Sequence, residues 1–170
     1  MQKKNAHTIL VVDDEPSVLE IVEESLNMAG YNTLCASNGH QALDLVKTGN
    51  AAVDILLTDV CMPGITGIDL AKRFVGLFPE IKTLFMSGVV SHPDLYSSYP
   101  EEKFVLIQKP FELDIMLSIV KKVLNTPVEE FFCYYAATNR EKELSAAAGK
   151  DNWARPLSTA EARMPEKHLK

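Results

Sequence analysis

The 170-residue chain is 46% hydrophobic and 24% charged, a globular balance that excludes a wholly disordered chain. Its 17 Lys and Arg stand against 23 Asp and Glu, a net charge of −6, so a nucleic-acid phosphate backbone is not the expected partner. No apolar run approaches the roughly 20 residues that span a bilayer, residues 1–7 lead into no signal-like apolar stretch, and the odd trio Cys35, Cys61 and Cys133 lacks metal-ligand spacing, which together predict a reducing, cytoplasmic setting away from membranes.

From Thr8 to about Leu124, short apolar runs alternate with longer amphipathic ones, the pattern of βαβ units around a parallel sheet. The predicted strands are Thr8–Val12, Asn32–Ala36, 53–58, Lys82–Ser87 and Phe104–Gln108. Four of the five hold an unbroken apolar stretch, as strands covered on both faces require, so a helix–sheet–helix sandwich is expected. Between the first two strands, Asp14 reads as a cap and Pro16 suits a first turn. Val18, Val22, Leu26 and Ala29 then form a stripe before Gly30 stops the helix. A second helix is predicted over 39–47, and a third is opened by Thr66 with Asp69 three residues on, a shortened capping box. In 88–103, Pro93 and Pro100 leave room for only a short helix near 94–98, and the last helix of the domain is predicted over 112–124.

The composition changes near residue 125. Thr126-Pro127-Val128-Glu129 has the form of a new helix start, and Val128, Phe131, Phe132, Tyr135 and Ala136 follow helical spacing, predicting a tail helix over 127–148. The cluster 131–135 reads as packing on its own domain, with a homodimer contact as the alternative. Residues 151–170, with two prolines and few apolar side chains, predict disorder. The expected units are thus 7–125, a helical extension over 126–149 and a tail over 150–170. The acidic excess belongs to the first, since 126–170 carries seven basic and seven acidic residues.

Open parallel sheets place their sites at the carboxyl ends of strands. The first strand runs into Asp13-Asp14-Glu15, the third into Asp59, the fourth into Met86-Ser87-Gly88 and the fifth into Lys109-Pro110-Phe111. Each has a plain reading as a cap, a turn residue or a solvated strand end. Together they bring three carboxylates, a hydroxyl and an ammonium to one sheet edge. Clustered carboxylates repel, so one holds its proton unusually well or a cation neutralises them. An oxygen-only set suits a hard ion such as Mg²⁺, and a metal, an opposing cation and a nucleophilic oxygen are the parts of phosphoryl transfer.

Val11-Val12-Asp13-Asp14-Glu15-Pro16, Asp59 with Met62-Pro63-Gly64, Met86-Ser87-Gly88 and Lys109-Pro110-Phe111 resemble the receiver domain of bacterial two-component response regulators over about residues 7–125. The wording around Ser87 and Lys109 is most similar to receivers of hybrid sensor kinases. The resemblance implies a doubly wound, flavodoxin-like (βα)5 fold with a five-stranded parallel sheet of order 2-1-3-4-5. It implies Asp59 as phospho-acceptor, served by a sensor histidine kinase or histidine phosphotransfer protein. Asp14 and Asp59 would hold Mg²⁺ directly, Asp13 through water, and the backbone carbonyl of Cys61 would complete the ligands. Ser87 would bind a phosphoryl oxygen, Lys109 would form the ion pair, and Pro110 would follow it through a cis bond.

One departure is visible. The family's usual aromatic residue three positions before the Lys is Leu106 here, while Phe104 shares its strand face and is the substitute to examine. The 45 residues after the domain hold no recognisable DNA-binding unit, so output is expected through contacts with a downstream protein target, as a switch rather than a turnover enzyme. Two rivals carry different chemistry. An Asp-nucleophile phosphatase would want a second acid–base Asp just after Asp59, where Val60 and Cys61 stand. A non-phosphorylated scaffold would have no physical need to gather repelling carboxylates.

Overall fold

A computed structural model describes residues 7–48, 52–88 and 104–127 together with two short backbone segments, 134–136 and 154–156. The elements in order are β1 (Thr8–Val12), α1 (Pro16–Met28), β2 (Asn32–Ala36), α2 (Gly39–Thr48), β3 (Ile55–Asp59), α3 (Gly67–Leu77), β4 (Lys82–Ser87), β5 (Phe104–Gln108), α4 (Leu113–Asn125), β6 (Tyr134–Ala136) and β7 (Ala154–Pro156). The short helix expected near 94–98 lies outside the described residues.

β1 to β5 run parallel in the order β2-β1-β3-β4-β5, as the sequence leads one to expect. Their continuous apolar character follows from double coverage: alternate side chains point to opposite faces, and both faces carry helices. Leu10, Val12, Leu56, Phe85, Phe104 and Leu106 enter one core with Ala42 and Leu43 of α2 and Leu70 and Phe74 of α3. Ile9, Val11, Ile55, Leu57, Leu84, Met86, Val105 and Ile107 enter the other with Val22 and Leu26 of α1 and Ile115, Met116, Ile119, Val120 and Val123 of α4.

Two local readings are corrected. The cap of α1 is Glu15 rather than Asp14, and it caps without a side-chain bond; its carbonyl accepts from the N–H groups of Val18 and Leu19. Asp14 is thereby left to point elsewhere. β3 begins and ends later than 53–58, so Asp59 is its last residue rather than the first of a loop. Thr66 does cap α3, accepting from the Asp69 N–H at 3.2 Å while its hydroxyl donates to the Asp69 carboxylate at 3.0 Å.

The tail differs more. Tyr134–Ala136, expected inside a helix, forms β6 parallel to β5, with Tyr135 opposite Leu106, and Ala154–Pro156, expected disordered, forms β7 antiparallel to β6. The physical reason is competition between period and partner. The aromatic run around 131–135 fits a strand as well as a helix face, and the edge of β5 offers backbone groups that a strand satisfies. The rest of 126–149 and of 150–170 falls outside the described residues beyond Pro127.

At the opposite end of the sheet from the strand-end carboxylates, the Lys82 ammonium donates to the carbonyls of Val123 and Thr126 at 2.7 and 2.5 Å, closing the C-terminus of α4 with a cation where the helix dipole favours one. Phe104 is 2% exposed and packs edge-on against Phe85 with ring centroids 5.4 Å apart. It shares a core with Leu106, as the period of two predicts. The ring is a core member, and swinging it outward would empty a packed site. Phe104→Ala is therefore expected to cost about 3–5 kcal/mol in urea unfolding. A loss below about 1 kcal/mol would show the ring to be dispensable to the core.

Candidate functional site: a carboxylate cluster bridged by Lys109

The strand order reverses between β1 and its neighbours β2 and β3, the switch point where open sheets bind ligands outside the carboxyl ends of their strands. Asp13 follows β1 and is fully buried; its N–H donates to the Ala36 carbonyl at 3.2 Å and its Oδ1 accepts from the Glu15 N–H at 3.0 Å. Asp59 ends β3 and turns its Oδ1 to the Cys61 N–H at 2.7 Å. The next N–H, of Val60, donates to the Met86 carbonyl of β4 at 3.0 Å, so β4 fixes where the chain leaves β3.

Lys109 joins these pieces. Its N–H donates to the Ser87 carbonyl at 2.7 Å, and its ammonium donates to Asp13 Oδ2 at 2.6 Å and Asp59 Oδ2 at 2.5 Å. The Lys109–Pro110 bond is cis, as the resemblance led one to expect. Ser87 is 2% exposed at the end of β4. Asp14 is exposed, and ligand oxygens of Asp13, Asp14 and Asp59 lie within 4.8 Å of one another. The structure thus gathers Asp13, Asp14, Asp59, Ser87 and Lys109 at one sheet edge, with Cys61 attached through its N–H.

Charge is unbalanced here: three carboxylates face one ammonium. Burial pushes the Asp13 carboxyl above its ordinary range and Asp59 pushes the same way, against the bonds from Lys109 and the Glu15 N–H. For Lys109, burial alone would lower the ammonium, but hydrogen bonds and charge from Asp13 and Asp59 outweigh it and the group is held above its ordinary value. The remaining negative charge, the oxygen-only donors and the open side at Asp14 fit a hard divalent cation.

Two residues that sequence reasoning passed over touch the Asp59 turn. The buried Thr58 hydroxyl donates to the Asp59 carbonyl at 3.1 Å, and the Gly67 N–H donates to the Val60 carbonyl at 3.0 Å. The only signal for the second was a glycine, a weak helix former, placed at a helix start.

The family model for the response regulator receiver domain matches residues 9–121. The chain belongs to that family. It is 33% identical over 116 residues to sporulation initiation phosphotransferase F of Bacillus subtilis (strain 168), covering 68% of this chain and 92% of that protein. It is 32% identical over 117 residues to sensor kinase CckA of Brucella abortus (strain 2308), covering 69% of this chain but 12% of that longer protein. Among solved structures it resembles the response regulator TrrA of Thermotoga maritima in complex with Mg(2+)-BeF, with TM-score 0.58 and 32% identity over 69% of this chain and 98% of that one. The receiver reading, the flavodoxin-like sheet and a place in phosphorelay signalling all agree with these matches. Among the described residues no helix is long and apolar enough to cross a membrane.

Because Lys109 is the cation that offsets Asp13, Lys109→Met is expected to lower the unfolding free energy by about 1–3 kcal/mol, below the cost of breaking a fully buried pair because the site is partly open. Lys109 favours the ionised form of Asp13, whose titration burial has moved above its ordinary range, so the deficit grows as pH rises through that titration and shrinks on acidification. Urea unfolding across pH checks both, and a pH-independent deficit would contradict the pairing.

Proposed function

We propose that this chain is a response regulator receiver whose Asp59 accepts a phosphoryl group from the phosphohistidine of a sensor histidine kinase or a histidine phosphotransfer protein. The observation that carries the reading is the Lys109 ammonium held between Asp13 and Asp59 at the carboxyl ends of the strands. An Asp59 carboxylate oxygen attacks phosphorus, the P–N bond to the imidazole breaks, and the electron pair leaves with the ring nitrogen. The product is an acyl phosphate on Asp59.

The residues divide the work by position. The Cys61 N–H and Lys109 hold the two Asp59 oxygens, so the carboxylate meets the donor with little freedom to lose. On transfer the negative charge moves outward onto phosphoryl oxygens, and the Lys109 ion pair follows it while Asp13 keeps the ammonium aimed. Ser87, tied through its carbonyl to the Lys109 N–H, donates its hydroxyl to one of those oxygens. Asp13, Asp14, Asp59 and the Cys61 carbonyl would hold Mg²⁺, which when bound neutralises the phosphoryl charge in the transition state. The similar Thermotoga maritima regulator is in complex with Mg(2+)-BeF, which supports that choice of ion.

The same reading makes the chain a switch rather than a turnover enzyme, cytoplasmic, with 7–125 as the phospho-accepting unit and 126–170 as an extension. Its output passes through protein contacts to a downstream target. Phe104, packed in the core against Phe85, is not the swinging ring of this reading.

Incubation with Mg²⁺ and a small-molecule phosphodonor is expected to give a phosphoryl adduct by intact mass that disappears with a chelator and in Asp59→Ala. An adduct that persists in Asp59→Ala would overturn the assignment.

A further inference from the structure

We infer that Gly67 and Thr58 are positioning residues for Asp59, setting where the acceptor's main chain lies; this rests on the reading of Asp59 as the phospho-acceptor. The observation is steric. A Cβ added at Gly67 would stand 1.9 Å from the Asp59 carbonyl oxygen, 2.9 Å from its carbon and 3.1 Å from the Thr58 hydroxyl. Glycine is not needed here for its conformational freedom, because the positive-φ glycines among the described residues are Gly30 and Gly64. It is needed for room.

The atom in the way is backbone, so no side-chain rotation relieves the collision. Either α3 or the Asp59 peptide has to move. α3 resists, since Thr66 caps it and Ile68, Leu70, Ala71 and Phe74 bury it in the core. Its first residue is also bonded to the Asp59 turn, Gly67 N–H to the Val60 carbonyl at 3.0 Å. A displacement therefore passes into a carboxylate whose two oxygens are each already committed, one to Cys61 and one to Lys109. The Thr58 hydroxyl holds the same carbonyl from its own strand at 3.1 Å. Hydroxyl and bare Cα act on one peptide group, the first holding it and the second leaving it space.

Phosphoryl transfer depends on in-line approach, and misplacement by about 1 Å costs on the order of 100-fold in rate. Gly67 and Thr58 meet the Asp59 main chain rather than the Lys109 ammonium or the Asp13 carboxylate. The effect thus falls on the maximal rate and leaves donor half-saturation in place.

The test uses the full chain with saturating Mg²⁺ and acetyl phosphate, following the Asp59 adduct by mass against donor concentration, with amide NMR spectra to report the fold. Gly67→Ala is expected to keep the spectrum of the sheet and the donor half-saturation while its maximal rate falls by about 10- to 100-fold. Thr58→Val keeps the branched bulk and removes only the hydroxyl, and its maximal rate falls by a smaller factor. A purely structural role would lower thermal stability and leave the rate per folded molecule unchanged. A folded Gly67→Ala labelled at the wild-type rate overturns the inference; if that variant does not fold, a wild-type rate in Thr58→Val does so. Failure of the wild type itself to be labelled overturns the acceptor reading and this inference with it. A labelled wild type with equally fast variants overturns this inference alone.

Discussion

One ammonium between two carboxylates governs the arrangement at the carboxyl edge of the sheet. Lys109 comes from the end of β5 and Asp13 from the end of β1, three strand spacings or about 14 Å apart along the sheet. The Lys109 side chain spans that gap to Asp13 and meets Asp59 of β3 on the way, and the bond from the Lys109 N–H to the Ser87 carbonyl fixes where it starts. The carboxylates would not gather unaided. At 4 Å and an effective dielectric of 20, two like charges repel by about 4 kcal/mol. The strands that carry them supply the opposing term, because each buried side chain of Ile9–Val12 and Ile55–Leu57 contributes about 1.5–3 kcal/mol. The two cores make the sheet rigid enough to hold an edge that electrostatics alone would open, and Lys109 removes part of the remaining strain.

That unfavourable residue of charge is what makes the edge useful. A site with three carboxylates and one cation favours whatever brings positive charge. The opposite end of the molecule is closed by contrast: Lys82 satisfies helix carbonyls, and Asp54 accepts from the Thr8 N–H and pairs with His7. Polar groups there complete elements already formed. Among the described residues, the carboxylate cluster lies at the end where polar groups remain in excess.

Much of this was legible in the sequence because strand-end residues obey simple grammar. Apolar runs ending in Asp13, Asp59, Ser87 and Lys109 define both the strands and the site, and the period of two placed Phe104 and Leu106 on one face. Other features were hidden for identifiable reasons. Asp14 before Pro16 has the same form whether it caps a helix or faces a cluster, and only the structure moves the cap to Glu15. The aromatic run near 131–135 satisfies helical spacing and strand propensity alike, and the choice at Tyr134–Ala136 was made by the edge of β5, a partner distant in sequence. Gly67 was opaque because its role lies in the space between two backbones, which no local pattern encodes.

The most direct test of the central claim asks which carboxylate carries the phosphoryl group. Borohydride reduces an acyl phosphate of Asp to homoserine, so the protein would be phosphorylated with Mg²⁺ and a small-molecule donor, reduced, digested and sequenced by mass spectrometry. Homoserine is expected at position 59, with Asp13 and Asp14 unchanged. Homoserine at position 13 or 14, or none anywhere under conditions that convert an established receiver, would contradict the assignment of Asp59 as acceptor.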